Sequence, residues 1–443
     1  MKFIRQIVIL SLLVYGQALE VFGQDVSSDK WNLQQCLDYA VANNINVGKS
    51  KYNVENNQLS TSQSKNNKLP SLFGTVSGSS VYGQTIDPIT SEFVNQNVFS
   101  NSMGLSMEMI LYQGNELNLQ IQKSKILEDQ SQLYLEESQN SIQLSVIEAY
   151  LRALYNYEGI EVAIKNLESF QFQVEQSTKR FENGAISRKE LMDLETQAAN
   201  SNYLVVSAQS QYDQQVLALK QLLELDPMVD FEIEIISLDA TARTIPDKYD
   251  VFSNATYFLP DLKIWEKEGE AIQTDIKIAK SNYLPSLSLG GRLSTGYTNT
   301  LSSDYVDQIN GNFSRQISVN LSVPIFSKKQ NQTNVAQARI RLQSNELDKI
   351  GAEKTLFSKI ETAWQNAIAN KAQLQSAEIA RDNALVSFEL AEKQYDLGGL
   401  TATELAVSRN QYLTAEESYL QSKYLLLLYS YLLDFYQGQP LNI

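Results

Sequence analysis

The chain has 443 residues, 43% of them apolar, enough for two or three ordinary domains or one large elongated one. It contains no histidine and a single cysteine, which excludes Ser-His and Cys-His catalysis, histidine metal sites, zinc clusters and an internal disulfide. With 36 Lys and Arg against 51 Asp and Glu the net charge is −15, the wrong sign for a surface that binds nucleic acid.

At the start, Lys2 and Arg5 precede an apolar run from Ile7 to Val14, and small and polar residues follow through Gly23-Gln24. Residues 1–24 therefore read as a secretory signal peptide. The run is shorter than the ~20 residues of a spanning helix, and no later run is long enough. If the mature chain meets a membrane, it does so with strands. Cys36 reads as a free structural cysteine on an apolar face.

Four segments alternate with period two. They are Leu72 to Tyr82 (weak, rich in Ser and Gly), Met103 to Leu111, Ser286 to Tyr297, and Ile317 to Ile325. In the second, Met103, Leu105, Met107, Met109 and Leu111 alternate with Gly104, Ser106, Glu108 and Ile110. Such lengths suit a barrel wall, since a membrane strand needs ~9–11 residues. Alternation alone does not tell a lipid-covered face from a protein-covered one. Four strands cannot close a barrel, and an open edge in lipid leaves backbone groups unpaired, so a barrel reading requires oligomerisation.

No proline lies between Pro88 and Pro227 or between Pro324 and Pro440, and long helices are expected there. The arm over 113–182 would be about 105 Å long. In the second stretch Leu356, Ile360, Ala363, Ala367, Asn370, Leu374, Ala377, Arg381, Ala384 and Phe388 form a heptad seam, interrupted by the polar Asn370 and Arg381. Gly184 follows one helical pattern, and Ser187-Arg188-Lys189-Glu190 opens another as a capping box. Gly398 and Thr401-Ala402-Thr403-Glu404 do the same in the second stretch.

These features repeat. Leu69-Pro70-Ser71-Leu72 returns as Leu284-Pro285-Ser286-Leu287, Ala149-Tyr150 as Ala363-Trp364, and the tip at Phe181 to Ser187 as Tyr395 to Thr401, at offsets of about 215. The chain divides into a signal peptide (1–24), a first repeat (25–225), a linking segment (226–250) and a second repeat (251–443). The fold class is mainly α with a membrane β portion, in which antiparallel helical hairpins carry four strands per chain.

The residues resemble the TolC-type outer-membrane efflux proteins. The likeness rests on Trp31-Asn32-Leu33 through Ala40 and Asn43-Asn44, on Pro260-Asp261-Leu262, on Tyr283-Leu284-Pro285-Ser286-Leu287, on Pro324-Ile325-Phe326, and on the two tips. It covers nearly the whole mature chain. The resemblance implies a homotrimer in the outer membrane of a Gram-negative bacterium. Twelve strands would form one barrel there, and twelve helices a periplasmic tunnel, with residues 226–250 and the C-terminal end in a belt around its middle. It implies a passive exit duct of a tripartite efflux pump or type I secretion system, working with a periplasmic adaptor and an inner-membrane transporter, without enzyme activity, cofactor or metal. Carried onto this chain, it makes Gly184, Ile186, Ser187, Gly398, Leu400 and Thr401 the adaptor-contacting tips. It makes Glu389 and Glu392 an acidic constriction near the periplasmic end. The sequence departs from the family's pattern in its weak first strand and at Met107-Glu108-Met109, where Glu108 must face the lumen if its neighbours face lipid. An exported coiled-coil rod with a structural or adhesive role is the alternative; the seam supports it and the four strands oppose it.

Overall fold

The computed structural model describes residues 30–86, 90–95, 97–236, 240 and 244–439. The expected signal peptide lies outside them.

The duplication is visible in the element lengths. Helices α1 (Leu33–Asn43) and α2 (Ile45–Asn66) have 11 and 22 residues. Strand β1 (Ser71–Val81), a small hairpin of β2 (Gln84–Ile86) and β3 (Phe93–Asn95), and β4 (Val98–Gln113) follow. Then come α3 (Glu116–Glu182) with 67 residues and α4 (Arg188–Leu222) with 35. The second repeat has α5 (Lys248–Phe258) and α6 (Pro260–Ser281), again 11 and 22 residues. Next are β5 (Ser286–Thr298), the short helix α7 (Tyr305–Gly311) and β6 (Ser314–Ser322). Helices α8 (Gln330–Asp396) and α9 (Ala402–Tyr436) close it with 67 and 35. Helix α5 begins at Lys248, inside the segment expected to link the repeats. The long arms are about 100 Å at 1.5 Å per residue.

The four main strands form one antiparallel sheet in the order β1-β4-β5-β6. Its register collects apolar side chains on one face: Leu72 lies opposite Met107, Val76 opposite Met103, Leu289 opposite Met109 and Val319, and Leu287 opposite Leu321. The other face carries Ser77, Ser102, Ser106, Glu108, Arg292, Ser294, Ser314 and Asn320. Ser77 and Ser102 are 2.7 Å apart across the strands, and Ser294 and Ser314 are 2.8 Å apart. Glu108 thus lies on the polar face, as its alternation required. A bulge between Ile110 and Tyr112 brings Tyr112 opposite Leu287, back onto the apolar face.

Several strand ends differ from the sequence expectation, two of them for clear physical reasons. β4 starts at Val98 rather than Met103, because polar residues there still find partners in both neighbours, as Ser100 does in Ser79 and Thr298. β6 ends at Ser322, since its partner β5 begins at the facing Ser286 and Pro324 has no N–H to donate. At the opposite end β5 outruns β6. There Gln308 of α7 acts as a substitute strand: its amide accepts from Thr298 N (2.9 Å) and donates to Thr298 O (2.9 Å), and Asn312 donates to Gly296 O (2.8 Å).

The main core lies where α1 crosses the middle of the first arm. Cys36, Leu37 and Ala40 of α1 pack on Val146, Ile147, Tyr150 and Leu154 of α3, with Leu219, Leu223, Ile233 and Leu427. Cys36 is fully buried and free, and burial pushes its thiol up to about 12. A second core joins Val251 and Ala255 of α5 to Leu356, Ile360, Ala363 and Ala367 of α8 and to Leu433 of α9. The repeated aromatic does equivalent work in both. Tyr150 donates its hydroxyl to Trp31 O (3.3 Å) and Glu234 O (2.8 Å), and Trp364 donates its indole N–H to Pro246 O (3.0 Å). Trp31 and Pro246 each directly precede the N-cap of a repeat's first helix, so each aromatic ties the chain's entry to the middle of the long arm.

Candidate functional site

The hairpin tips are built by the same local rules twice. At the end of α3, Gly184 has φ +73°, its N–H donates to Phe181 O (2.9 Å) and that of Ala185 donates to Arg180 O (2.8 Å). At the end of α8, Gly398 has φ +79°, with matching bonds from Gly398 N to Tyr395 O (3.0 Å) and from Gly399 N to Gln394 O (2.8 Å). These are Schellman ends, and the left-handed residue is glycine because a Cβ there is strained. No atom lies within 4 Å of a Cβ built on either glycine, so only the backbone demands it.

The following caps differ. Thr401 and Glu404 form the complete box: Glu404 N donates to Thr401 Oγ1 (3.3 Å) and Thr401 N donates to Glu404 Oε2 (2.9 Å). The Glu404 carboxylate accepts from Thr401 N and also from Thr401 Oγ1 (2.8 Å), and these two bonds hold it below its usual range, the backbone bond first. In the first repeat only half of the expected box forms. Ser187 accepts from Glu190 N (3.2 Å), while the Glu190 carboxylate turns to the Tyr395 hydroxyl (3.4 Å) of the other hairpin. Leu400, just before its cap, packs on the cluster that contains Leu405, a hydrophobic staple; Ile186 and Leu191 hold the same relative positions. Gly184, Ser187, Gly398 and Thr401 are exposed, and Ile186 and Leu400 are half-buried. Leu397, which sequence reasoning passed over, is 88% exposed at the second tip.

A few residues above the tips, polar and aromatic groups join the two hairpins. Arg180 of α3 donates to Asp396 O (2.8 Å), and Ser177 lies 3.3 Å from the Tyr395 hydroxyl. Arg409 of α9 is 2% exposed. Its guanidinium lies 3.9 Å from the Phe170 ring centroid and 4.9 Å from that of Phe388, and Nη2 donates to Ser169 Oγ (2.6 Å). Burial pushes Arg409 down to about 10, with Glu392 opposing.

The two acidic residues expected to act together diverge. Glu392 is drawn to this contact: its Oε1 lies 3.9 Å from Arg409 and accepts from Ser169 (3.4 Å) and Gln173 (3.5 Å). Glu389 stays exposed. Arg409 left a faint sequence signal: it sits four residues after buried Leu405, on the apolar stripe of its helix. Of the polar residues in the seam, Arg381 stacks over Tyr419 of α9 (4.0 Å) and Asn370 donates to Asn366 O of its own helix (2.8 Å).

With this geometry in place, comparison with known proteins decides the family. The profile described as "Outer membrane efflux protein" matches residues 36–224 and 254–435, one match per repeat. The chain belongs to the outer membrane efflux protein family. Outer membrane efflux proteins are Gram-negative outer-membrane channels with a periplasmic helical tunnel, and family members form trimers that work with adaptors and inner-membrane transporters.

The chain is similar to the alkaline protease secretion protein AprF of Pseudomonas aeruginosa, at 23% identity over 66% of this chain and 60% of that one. It is also similar to outer membrane protein TolC of Vibrio cholerae, at 22% identity over 73% of each. Its fold is that of CusC (TM-score 0.76, 16% identity, 92% of each chain covered). It is likewise that of the Campylobacter jejuni CmeC outer membrane channel, with TM-score 0.75, 19% identity, and 93% of this chain and 87% of that one covered.

Proposed function

We propose that three copies of this chain close into one duct that carries substrate from the periplasm to the exterior, as the exit component of a tripartite efflux pump or a type I secretion system. The four-stranded sheet carries this reading. Both its edges are open and its apolar face is uncovered, with Ile317 84% and Val76 76% exposed. In lipid that face is an advantage and the edges are prohibitive, so three sheets joined edge to edge satisfy both demands. Twelve strands give a barrel about 24 Å across. Among the described residues no helix is long and apolar enough to span a membrane.

In this reading Gly184, Ile186, Ser187, Gly398, Leu400 and Thr401, with Leu397, meet a periplasmic adaptor that connects to an inner-membrane transporter. Glu389 and Glu392 form the acidic constriction, with exposed Glu389 as its freer carboxylate and Glu392 shared with Arg409. The duct performs no chemistry; energy comes from the transporter. The family's description supports efflux as its service, and the name of the Pseudomonas aeruginosa relative supports protein secretion.

The test is planar-bilayer conductance on purified protein, with the cross-linked mass read from the same sample. Discrete steps from a trimer are expected. Glu389→Gln with Glu392→Gln should lower cation selectivity, and unchanged selectivity removes the constriction. A soluble species without steps favours the coiled-coil rod.

A further inference from the structure

The charge of this acidic chain is distributed unevenly about the sheet. At the end joined to the long helices, the connections 65–70, 114–118, 280–285 and 323–330 carry Lys65, Lys68, Lys280, Lys328 and Lys329 against one acid, Glu116. The loops at the other end, 82–97 and 299–313, carry by sequence Asp87, Glu92, Asp304 and Asp307 and no basic residue. All five lysines are exposed. Glu116 accepts from Gln113 (2.7 Å), and Lys68 donates to the neutral Asn118 (2.6 Å). The lysines share their level with exposed apolar side chains: Leu69 (63%), Tyr283 (51%), Ile325 (95%) and Phe326 (79%). Aromatic rings and flexible cationic stems side by side suit the layer where hydrocarbon gives way to headgroups.

The turn into α8 carries two local penalties for its charge. Lys328 and Lys329 have φ +52° and +63°, where the first repeat places Gly114 and Asn115 at +56° and +67°. Glycine and asparagine tolerate that region and lysine does not favour it. Lys329 is also the N-cap of α8, next to the positive end of a helix, with no side-chain cap bond. The first repeat shows that an unstrained, uncharged solution was at hand.

We propose that these lysines form a collar that binds the headgroups of anionic phospholipids in the inner leaflet of the outer membrane. The proposal rests on the barrel reading above. A trimer would present three sets of five lysines at one depth, below the apolar band, while the acidic loops face the exterior. A lysine held at an anionic bilayer surface favours binding about fivefold, and the attraction is screened within a Debye length.

The test uses full-length protein in vesicles of phosphatidylethanolamine with a minority of phosphatidylglycerol. Association of spin-labelled phosphatidylglycerol is compared with that of spin-labelled phosphatidylethanolamine, and conductance steps are recorded in parallel. Wild type should prefer phosphatidylglycerol by about fivefold or more at low salt, and the preference should collapse at high salt. Lys65→Gln, Lys68→Gln, Lys280→Gln, Lys328→Gly and Lys329→Asn together should bring the ratio close to one with conductance intact. The Lys328→Gly/Lys329→Asn pair alone, which installs the first repeat's own turn, should lower it part of the way without harm to folding. A wild-type ratio of one with normal conductance steps overturns the collar and leaves the duct standing. A preference that survives removal of all five lysines also overturns it. Absence of conductance steps in wild type overturns the barrel reading and the collar with it.

Discussion

Arg409 offers the sharpest test of how the hairpins are held together above their tips. Its contacts pull in opposite directions. The charged hydrogen bond to Ser169 contributes about 2 kcal/mol, and the faces of Phe170 and Phe388 together contribute about 2–3 kcal/mol. Against these stands the cost of a cation at 2% exposure; its displacement from the usual arginine range down to about 10 corresponds to roughly 3 kcal/mol. The net worth of the charge is therefore small, about 1 kcal/mol, while the side chain still fills space between three helices. Arg409→Met should raise local opening only about fivefold. Arg409→Ala adds a cavity and should cost about 3 kcal/mol, on the order of a hundredfold. Amide hydrogen exchange of the detergent-solubilised protein reads both, over residues 165–178 and 386–397, with the sheet as internal control. If the contact were instead a dominant ion pair with Glu392, Met would be as damaging as Ala. Equal rates for the two variants refute the packing account.

Two further outcomes follow from the turns. Gly398→Ala meets no atom and should cost about 1–2 kcal/mol of backbone strain with normal assembly. Gly114→Ala places its Cβ 2.5 Å from Ser281 O as well and should sharply reduce the yield of assembled protein on a native gel; equal yields contradict the close approach. At the second tip, the Glu404 carboxyl is held low in the folded state, so its cap is in place above the ordinary carboxylate range and is lost as pH falls through the lowered folded value. Protection factors at residues 401–405, which remove the pH dependence of intrinsic exchange, should fall on acidification in wild type. In Glu404→Gln they should already be low at neutral pH and change little with acid.

Much of this architecture was legible in the sequence because it rests on local periodicities. The four strands alternate over most of their length, and the arms contain no proline, so each element announced itself within a short window. The duplication multiplied those signals. What escaped detection depends on partners far away in the chain. The polar start of β4 is a strand only because β1 and β5 flank it. Gln308 of α7 carries no local signal of its role, which comes only from the facing backbone of Thr298. Glu190 follows Ser187 at capping-box spacing, yet its carboxylate goes to Tyr395, 205 residues further on. Glu389 and Glu392 look equivalent on a helical wheel. Only the neighbouring hairpin, with Arg409, Ser169 and Gln173, separates them.

The matched arm lengths have a consequence for which changes the chain tolerates. One residue added to α3 would displace its tip by about 1.5 Å and swing it by roughly 100° about the helix axis. The tip would then lie out of step with the one at the end of α8, and every seam contact beyond the insertion would be re-aimed. The 67-residue arms therefore work as a pair of gauges set to one length. Insertions of tags or labels belong in the short stretch between Thr300 and Ser303, ahead of α7, where no such gauge runs.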